Sequence, residues 1–224
     1  MKLIKVDYLK TAGDFPDSSD FIETMRLLKR RIAELAFNSP DKFVINPIKQ
    51  GNGVKPISEA FCNNLPDGWR GQVVYDLMDG LEPGPIDVFV ETPSGKIAIE
   101  WETGNVSSSH RALNKLAIGI LTKRIEGGIL VVPSRAFYKY LTDRVGNYQE
   151  LVPYFPIYRN LNIERGVLVV IEVEHDEVSP EVPLIPKGSD GNSKKPRKEK
   201  TASNKTTLAP KKKKSQVTVI FPEN

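Results

Sequence analysis

A single cysteine, Cys62, excludes an internal disulfide and suits a reducing cytosol. Histidine is nearly as scarce: His110 and His175 are the two, and no Cys/His spacing supports a zinc site. No apolar run approaches a membrane span, so no membrane partner is expected. Met1 to Ala12 lacks an apolar core and a cleavage site, so no secretory signal peptide is expected either. Gly51-Asn-Gly53 lacks the lysine of a phosphate-cradling loop, and no internal repeat is visible. What remains is a chain of 224 residues, long enough to bury a sizeable core without staples. One compact α/β domain with extensions is the simplest count.

Charge is unevenly spread. Lys187 to Lys214 holds eleven Lys or Arg against Asp190 and Glu199, while the whole chain is only +4, so the part before the tail is acidic overall. We therefore divide the chain into a body, 1–186, and a basic, mostly disordered arm, 187–224, suited to the phosphates of a nucleic acid. The runs KKPRKEK and PKKKK have the composition of nuclear-localisation signals too. Val217 to Phe221 is a candidate edge strand.

Along the body, Met1 to Tyr8 reads as a short strand. A helix runs from about Asp20 to Phe37 on the spacing of Phe21, Met25, Leu28, Ile32 and Leu35, and its basic residues form a solvated face or touch phosphates. Lys42 to Asn46 is a candidate strand. Pro56 to Asn64 is a second helix with Cys62 buried, and Val73 to Met78 is either a short helix or an irregular approach. A helix capped by Ser107 runs to about Ile125 and ends at Gly127-Gly128. Ile129 to Val132 is an interior parallel strand and Ser134 to Leu141 a helix. Asn147 with Glu150 makes a capping box for a short helix to Phe155, and Val167 to Glu174 is a strand. This order implies a mixed sheet flanked by helices.

The informative stretch is Pro85 to Leu116. Ile86 to Val90 and Ile97 to Glu102 are rich in β-branched and aromatic residues, and Thr92-Pro93-Ser94-Gly95 between them is a hairpin turn. Alternation puts Ile97, Ile99 and Trp101 on one face and Ala98, Glu100 and Glu102 on the other. With Pro93 and Ser94 as the two turn residues, Asp87 lies across from Glu100, at roughly 4.5–5.5 Å between Cβ atoms. A bulge at Gly95 shifts that register by one. Three carboxylates so placed repel one another unless a cation joins them, and hard oxygen donors select Mg²⁺ or Mn²⁺. The bland reading is a set of solvent-facing acids on a half-exposed hairpin.

The segments GPIDV and EWETGNVSSSHRALNKL, then YLTDRVGNYQELVPYF and VPLIPKGSDG, carry a resemblance. They resemble, in order and spacing, the active-site and recognition segments of BamHI-type type II restriction endonucleases. A fainter echo lies in NGVKPI at Asn52 to Ile57. The resemblance implies a restriction-endonuclease-like (PD-(D/E)xK-type) fold, a mixed central β-sheet flanked by helices with a basic flexible tail. It implies Asp87, Glu100 and Glu102 as catalytic residues. Asp87, Glu100 and the Trp101 backbone carbonyl become ligands of Mg²⁺, with Mn²⁺ as a substitute. Most nucleases of this fold place lysine where Glu102 stands; the BamHI type is similar to this chain in having glutamate. The family's further upstream acid aligns with Gln72, with Asp76 or Asp79 as stand-ins, which leaves the number of metal ions open. Asn105, Ser107, Arg111, Asp143 and Arg144 match base-reading positions, and Asp190 and Gly191 match a minor-groove arm.

The implied activity is hydrolysis of double-stranded DNA at GGATCC after the first G, leaving 5′-phosphate and 3′-hydroxyl ends. A palindrome implies a homodimer, with the helices near 107–123 and 148–155 as its surface or as internal core. A cognate DNA methyltransferase and a bacterial cytoplasm complete the expectation. Two rivals stay open: a sequence-specific DNA-binding protein that does not cleave, and a repair nuclease indifferent to sequence. His110 is a weaker candidate general base, and His175 lies in an acidic stretch that reads as exposed.

Overall fold

The computed structural model describes residues 1–63, 65–77, 84–102 and 104–187, the side chain of Asp143 excepted. Its elements are β1 (Lys2–Ala12), α1 (Ser19–Ala33), β2 (Val44–Ile45), α2 (Lys55–Cys62), β3 (Trp69–Val73), β4 (Ile86–Thr92) and β5 (Gly95–Trp101). They continue as α3 (Val106–Leu121), β6 (Gly127–Pro133), α4 (Arg135–Tyr138), α5 (Tyr148–Leu151), α6 (Phe155–Arg159), β7 (Gly166–Glu174) and β8 (Glu177–Val178). Among the described residues a six-stranded sheet runs β1-β7-β6-β5-β4-β3, and β2 pairs with β8 apart from it. The β5-β6 and β6-β7 pairs are parallel; β1-β7, β3-β4 and β4-β5 are antiparallel.

Alternation along the strands fills two apolar layers. Val88, Val90, Ile97, Ile99, Trp101, Ile129, Val131, Val169 and Ile171 face α1 and α2, meeting Met25, Leu28, Ile32, Ile57 and Phe61. Phe89, Ala98, Leu130, Val132, Leu168 and Val170 face α3, α5 and α6, meeting Leu113, Leu116, Ile120, Leu151 and Phe155. Every residue of β6 is buried, which is why its sequence is a continuous apolar run rather than an alternating one. The apolar stripe of α3 is therefore internal core. Leu121, Val152, Tyr154 and Ile157 are the apolar side chains that this side leaves exposed.

The structure corrects several sequence expectations. α1 stops at Ala33: the Leu35 N–H turns back to the Ile32 carbonyl, the Met1 amine takes the Ala33 and Leu35 carbonyls, and Phe37 bridges to Phe43. α3 stops at Leu121. Lys123 takes a left-handed backbone (φ 57°), and the Gly119 carbonyl accepts from both Arg124 and Ile125 N–H. Gly127 and Gly128 are not its terminator; they open β6. α4 is a single turn, and the helical turns that begin at Tyr148 continue past Phe155 to Arg159. The capping box at Asn147 and Glu150 forms as read. β1 is longer than expected. β3 was not read as a strand, because four of its five residues are exposed or half-exposed and Gly71 and Gln72 carry no strand signal. Cys62 is half-buried rather than buried, and His175 is buried rather than exposed. The expected disorder of the tail and the strand at Val217 to Phe221 lie outside the described residues.

The glycines opening β6 are there for space. A Cβ on Gly128 would lie 2.9 Å from Leu116 Cβ and 3.1 Å from Leu168 Cδ1. Valine has the higher strand propensity, yet Gly128→Val should cost about 1–3 kcal/mol through overpacking between β6 and α3. Urea denaturation of the variant, with an unchanged slope, checks this.

Candidate active site

The site is built on the β4-β5 hairpin. Thr92 pairs with Gly95 and Val88 with Ile99, so Pro93 and Ser94 are the two turn residues and no bulge intervenes. Thr92 Oγ1 accepts from Gly95 N–H at 3.1 Å and donates to its carbonyl at 2.7 Å, and Asp20 accepts from Ser94 N–H at 2.9 Å. Carried one step further, this register sets Asp87 against Glu100, the arrangement expected from sequence.

Asp87, Glu100 and Glu102 all line one cavity of about 250 Å³, with Trp101, Gly104, Ser108, Arg111 and Lys115 among its other walls. Each acid is held by its own partners. Asp87 accepts from Trp101 N–H at 2.8 Å with one oxygen and from the Gln72 side-chain amide at 2.9 Å with the other. Glu102 accepts from Gly104 N–H. Glu100 forms a buried ion pair with Lys115, whose Nζ also donates to the Pro85 carbonyl at 3.2 Å. Lys115 acts on Glu100 both as a charge and as a hydrogen-bond donor. Burial pushes the Glu100 carboxyl up to about 7; Lys115 pulls it down, and Asp87 and Glu102 raise it further. Among the described residues no three His, Cys, Asp or Glu side chains stand close enough together to hold a metal ion. The donor set itself, three carboxylates lining one cavity, has the hard-oxygen chemistry of a divalent ion.

Directly after β5 the chain turns into α3. Asn105 is its N-cap, accepting from Ser107 N–H at 3.0 Å and Ser108 N–H at 3.2 Å; Ser107 lies inside the first turn and is not the cap. The 142–146 segment is pinned to this corner. Asn105 bridges to Val145, and Gly146 N–H donates to the Gly104 carbonyl at 2.9 Å. Gly146 is required by the close approach, since a Cβ there would lie 1.9 Å from Ser109 Oγ. Arg144 is exposed with a left-handed backbone (φ 50°). The acids and an exposed polar rim of Asn105, Ser107, Arg111 and Arg144 thus meet at one end of the sheet.

A model of the restriction endonuclease BamHI family matches residues 1–192. The chain belongs to the BamHI family of restriction endonucleases. It is 41% identical over 194 residues to the type II restriction enzyme OkrAI of Oceanobacter kriegii, covering 86% of this chain and 99% of the relative. It is 34% identical over 191 residues to the type II restriction enzyme BamHI of Bacillus amyloliquefaciens, covering 75% of this chain and 87% of the relative. The chain is accordingly a type II restriction endonuclease with a restriction-endonuclease-like fold.

Within this BamHI-family chain, Trp101 lies at the cavity with its ring stacked on Phe61, centroids 4.6 Å apart. The side chain of Asp143, and all of Asp79, Asp190 and Gly191, lie outside the described residues. Asp76 does not reach the cavity; it pairs with Arg124 at 3.9 Å. Gln72 does stand beside Asp87, again on a left-handed backbone (φ 51°). Non-glycine residues held there carry strain that concentrates at functional sites, and Gln72 and Arg144 both flank this one. His110 is absent from the cavity lining and packs edge-on against Tyr154, centroids 4.4 Å apart. His175 is packed among Phe137 and Tyr140, and burial pushes its imidazole below the ordinary value. Burial, with Asp87 nearby, pushes the Cys62 thiol up to about 11, so it is a poor nucleophile.

Sequence reading missed two residues. Lys115 sits on the buried side of α3 between Leu113 and Leu116, a charge where the apolar pattern should continue. Asn52 is fully buried and ties three segments together. Its amide donates to the Asn46 and Tyr140 carbonyls at 2.9 and 3.1 Å, and its Oδ1 accepts from Ile185 N–H at 3.2 Å. Its backbone carbonyl accepts from Thr142 N–H at 2.8 Å. It therefore anchors both the 142–146 segment and the chain leading to the basic arm. The short NGVKPI match was the available signal.

Two predictions follow from this geometry. Asn52→Ala leaves two buried backbone groups, the Asn46 carbonyl and the Ile185 N–H, unpaired and should cost about 2–4 kcal/mol in urea denaturation, with faster proteolysis near Ile185. Glu100 is ordinarily half-protonated at 4.5 and here at about 7, so across that window the folded state binds more protons than the unfolded. Metal-free stability from this group therefore falls as pH rises from about 4.5 to about 7. His175 works in the opposite sense up to its ordinary value of 6.5. The difference between the parent protein and Glu100→Gln isolates the carboxylate, and should change by about 3 kcal/mol across the window in denaturation at stepped pH.

Proposed function

We propose that this endonuclease is a homodimer that cuts double-stranded DNA at GGATCC after the first G, using Mg²⁺ or, in its place, Mn²⁺, and leaving 5′-phosphate and 3′-hydroxyl ends. The observation that carries the reading is the meeting of the acidic cavity with Asn105, Ser107, Arg111 and Arg144 at the start of α3. Asp87, Glu100 and the Trp101 carbonyl would hold the ion. A bound divalent ion supplies positive charge against the phosphate and lowers the cost of ionising a water. Glu102, held by Gly104 N–H, takes the proton from the water that attacks phosphorus as the bond to the 3′ oxygen breaks. Arg111, which lines the cavity, and Arg144 present donor forks to guanine, Asp143 an acceptor to cytosine, and Asn105 and Ser107 polar groups to the neighbouring edges.

Two-fold symmetry of the site calls for two copies, and the exposed Leu121, Val152, Tyr154 and Ile157 beside α3 and α5 supply an apolar surface for them. Residues 1–186 form the catalytic body. The basic arm, 187–224, adds phosphate contacts, with Asp190 and Gly191 in the minor groove. The enzyme works in a bacterial cytoplasm beside a methyltransferase that protects the host's own copies of the site. Among the described residues no helix is long and apolar enough to cross a membrane.

A second reading has one observation in its favour. Gln72, not an acid, stands beside Asp87, which suits a protein that binds its site without cleaving it. Cleavage of a fully sequenced plasmid with Mg²⁺, Mn²⁺ or EDTA decides between the two. Discrete metal-dependent cuts mapping to GGATCC are expected. Glu102→Ala should lower that cleavage by about a hundredfold or more while retaining the shift of a GGATCC duplex. An intact plasmid alongside that shift favours binding alone, and a smear favours a nuclease indifferent to sequence.

A further inference from the structure

We infer that the Lys115 ammonium is the resident counter-ion of the acidic cavity, and that a divalent ion loads onto Glu100 by displacing it. The inference rests on the metal-binding reading of the cavity. Lys115 reaches the cavity from α3, whereas the acids come from the β4-β5 hairpin and its exit. Its side chain is 7% exposed, and a buried ammonium persists only against negative charge. That charge is Glu100, and the Pro85 carbonyl 3.2 Å away fixes the ammonium from the other side.

The other two acids are already engaged elsewhere. Asp87 is held by Trp101 N–H and the Gln72 amide, and Glu102 accepts from Gly104 N–H. No metal-ready cluster exists among the described residues while these contacts hold. Glu100 Oε1 faces the Lys115 ammonium. An incoming cation therefore meets the ammonium's charge at the same carboxylate, one of whose two oxygens Lys115 already holds. Metal loading and the ion pair are in competition, so Lys115 stabilises the metal-free enzyme and weakens its hold on the ion.

This predicts effects of opposite sign from one substitution. Lys115→Met keeps the length and removes the charge. Measured at pH 8.5 without DNA, it should lower the thermal midpoint of the metal-free protein and bind Mn²⁺ roughly tenfold more tightly, read from the free-ion electron paramagnetic resonance signal. A lysine that merely supports α3 would give unchanged or weaker Mn²⁺ binding, and that result overturns the proposal. Lys115→Gln, which keeps a donor for Pro85, should show the same tightening and serves if the Met variant does not fold. Should both fail to fold, the parent protein labelled at the lysine ε-carbons decides. One buried lysine resonance must shift with Mn²⁺-mimicking Mg²⁺ at the midpoint of metal binding, and its absence overturns the proposal. If the parent protein and Glu100→Gln bind Mn²⁺ equally, the metal-binding reading itself fails, an outcome distinct from tight binding that Lys115 does not oppose.

Discussion

The two-residue turn at Pro93 and Ser94 sets the position of every acid in the cavity. Side chains alternate along a strand, so a slip of one residue between β4 and β5 would carry Asp87 away from Glu100 and turn one apolar set toward water. The turn is reinforced within the hairpin by Thr92 across Gly95 and from outside it by Asp20 of α1 on Ser94 N–H. The core adds its own requirement. Ile97, Ile99 and Trp101 must face α1 and α2, while Ala98 must face α3. Turn chemistry and burial agree on the same register, and the acids inherit it.

Placing three carboxylates on one wall has an electrostatic cost, and the structure disperses it instead of leaving the charges to face one another. Backbone N–H groups take part of Asp87 and Glu102, an amide takes the rest of Asp87, and a buried ammonium stands against Glu100. Burial of Glu100 nevertheless outweighs its cation, which is why its carboxyl rises to about 7.

The start of α3 and the 142–146 segment are joined to the acids through backbone contacts. Gly104 and Gly146 let two segments approach until Asn105 bridges Val145, and Asn52 secures the second segment from behind. The backbone that carries the exposed Arg144 is thereby tied to the segment that follows the acids.

The hairpin, the three acids, the interior strand β6, the two-sided core and the capping box at Asn147 were all legible in the sequence. They depend on local periodicity and turn residues. Helix ends were less legible. α1 stops where the N-terminal amine takes the Ala33 and Leu35 carbonyls and Phe37 bridges to Phe43, and α3 ends in a local turn in which the Gly119 carbonyl takes the Arg124 and Ile125 N–H groups. β3 was hidden because an exposed edge strand lacks an apolar face. Lys115 and Asn52 were hidden for a deeper reason: a buried lysine or asparagine looks like any polar residue until the groups that satisfy it are known. The sequence by itself determined that the three acids converge, because neighbouring strands joined by a short turn bring them to one wall in either register, and the structure then chose the register without a bulge. Only the tertiary structure decided what neutralises them and what binds the recognition segments to them, because those partners come from elements far apart in the chain and meet through packing alone.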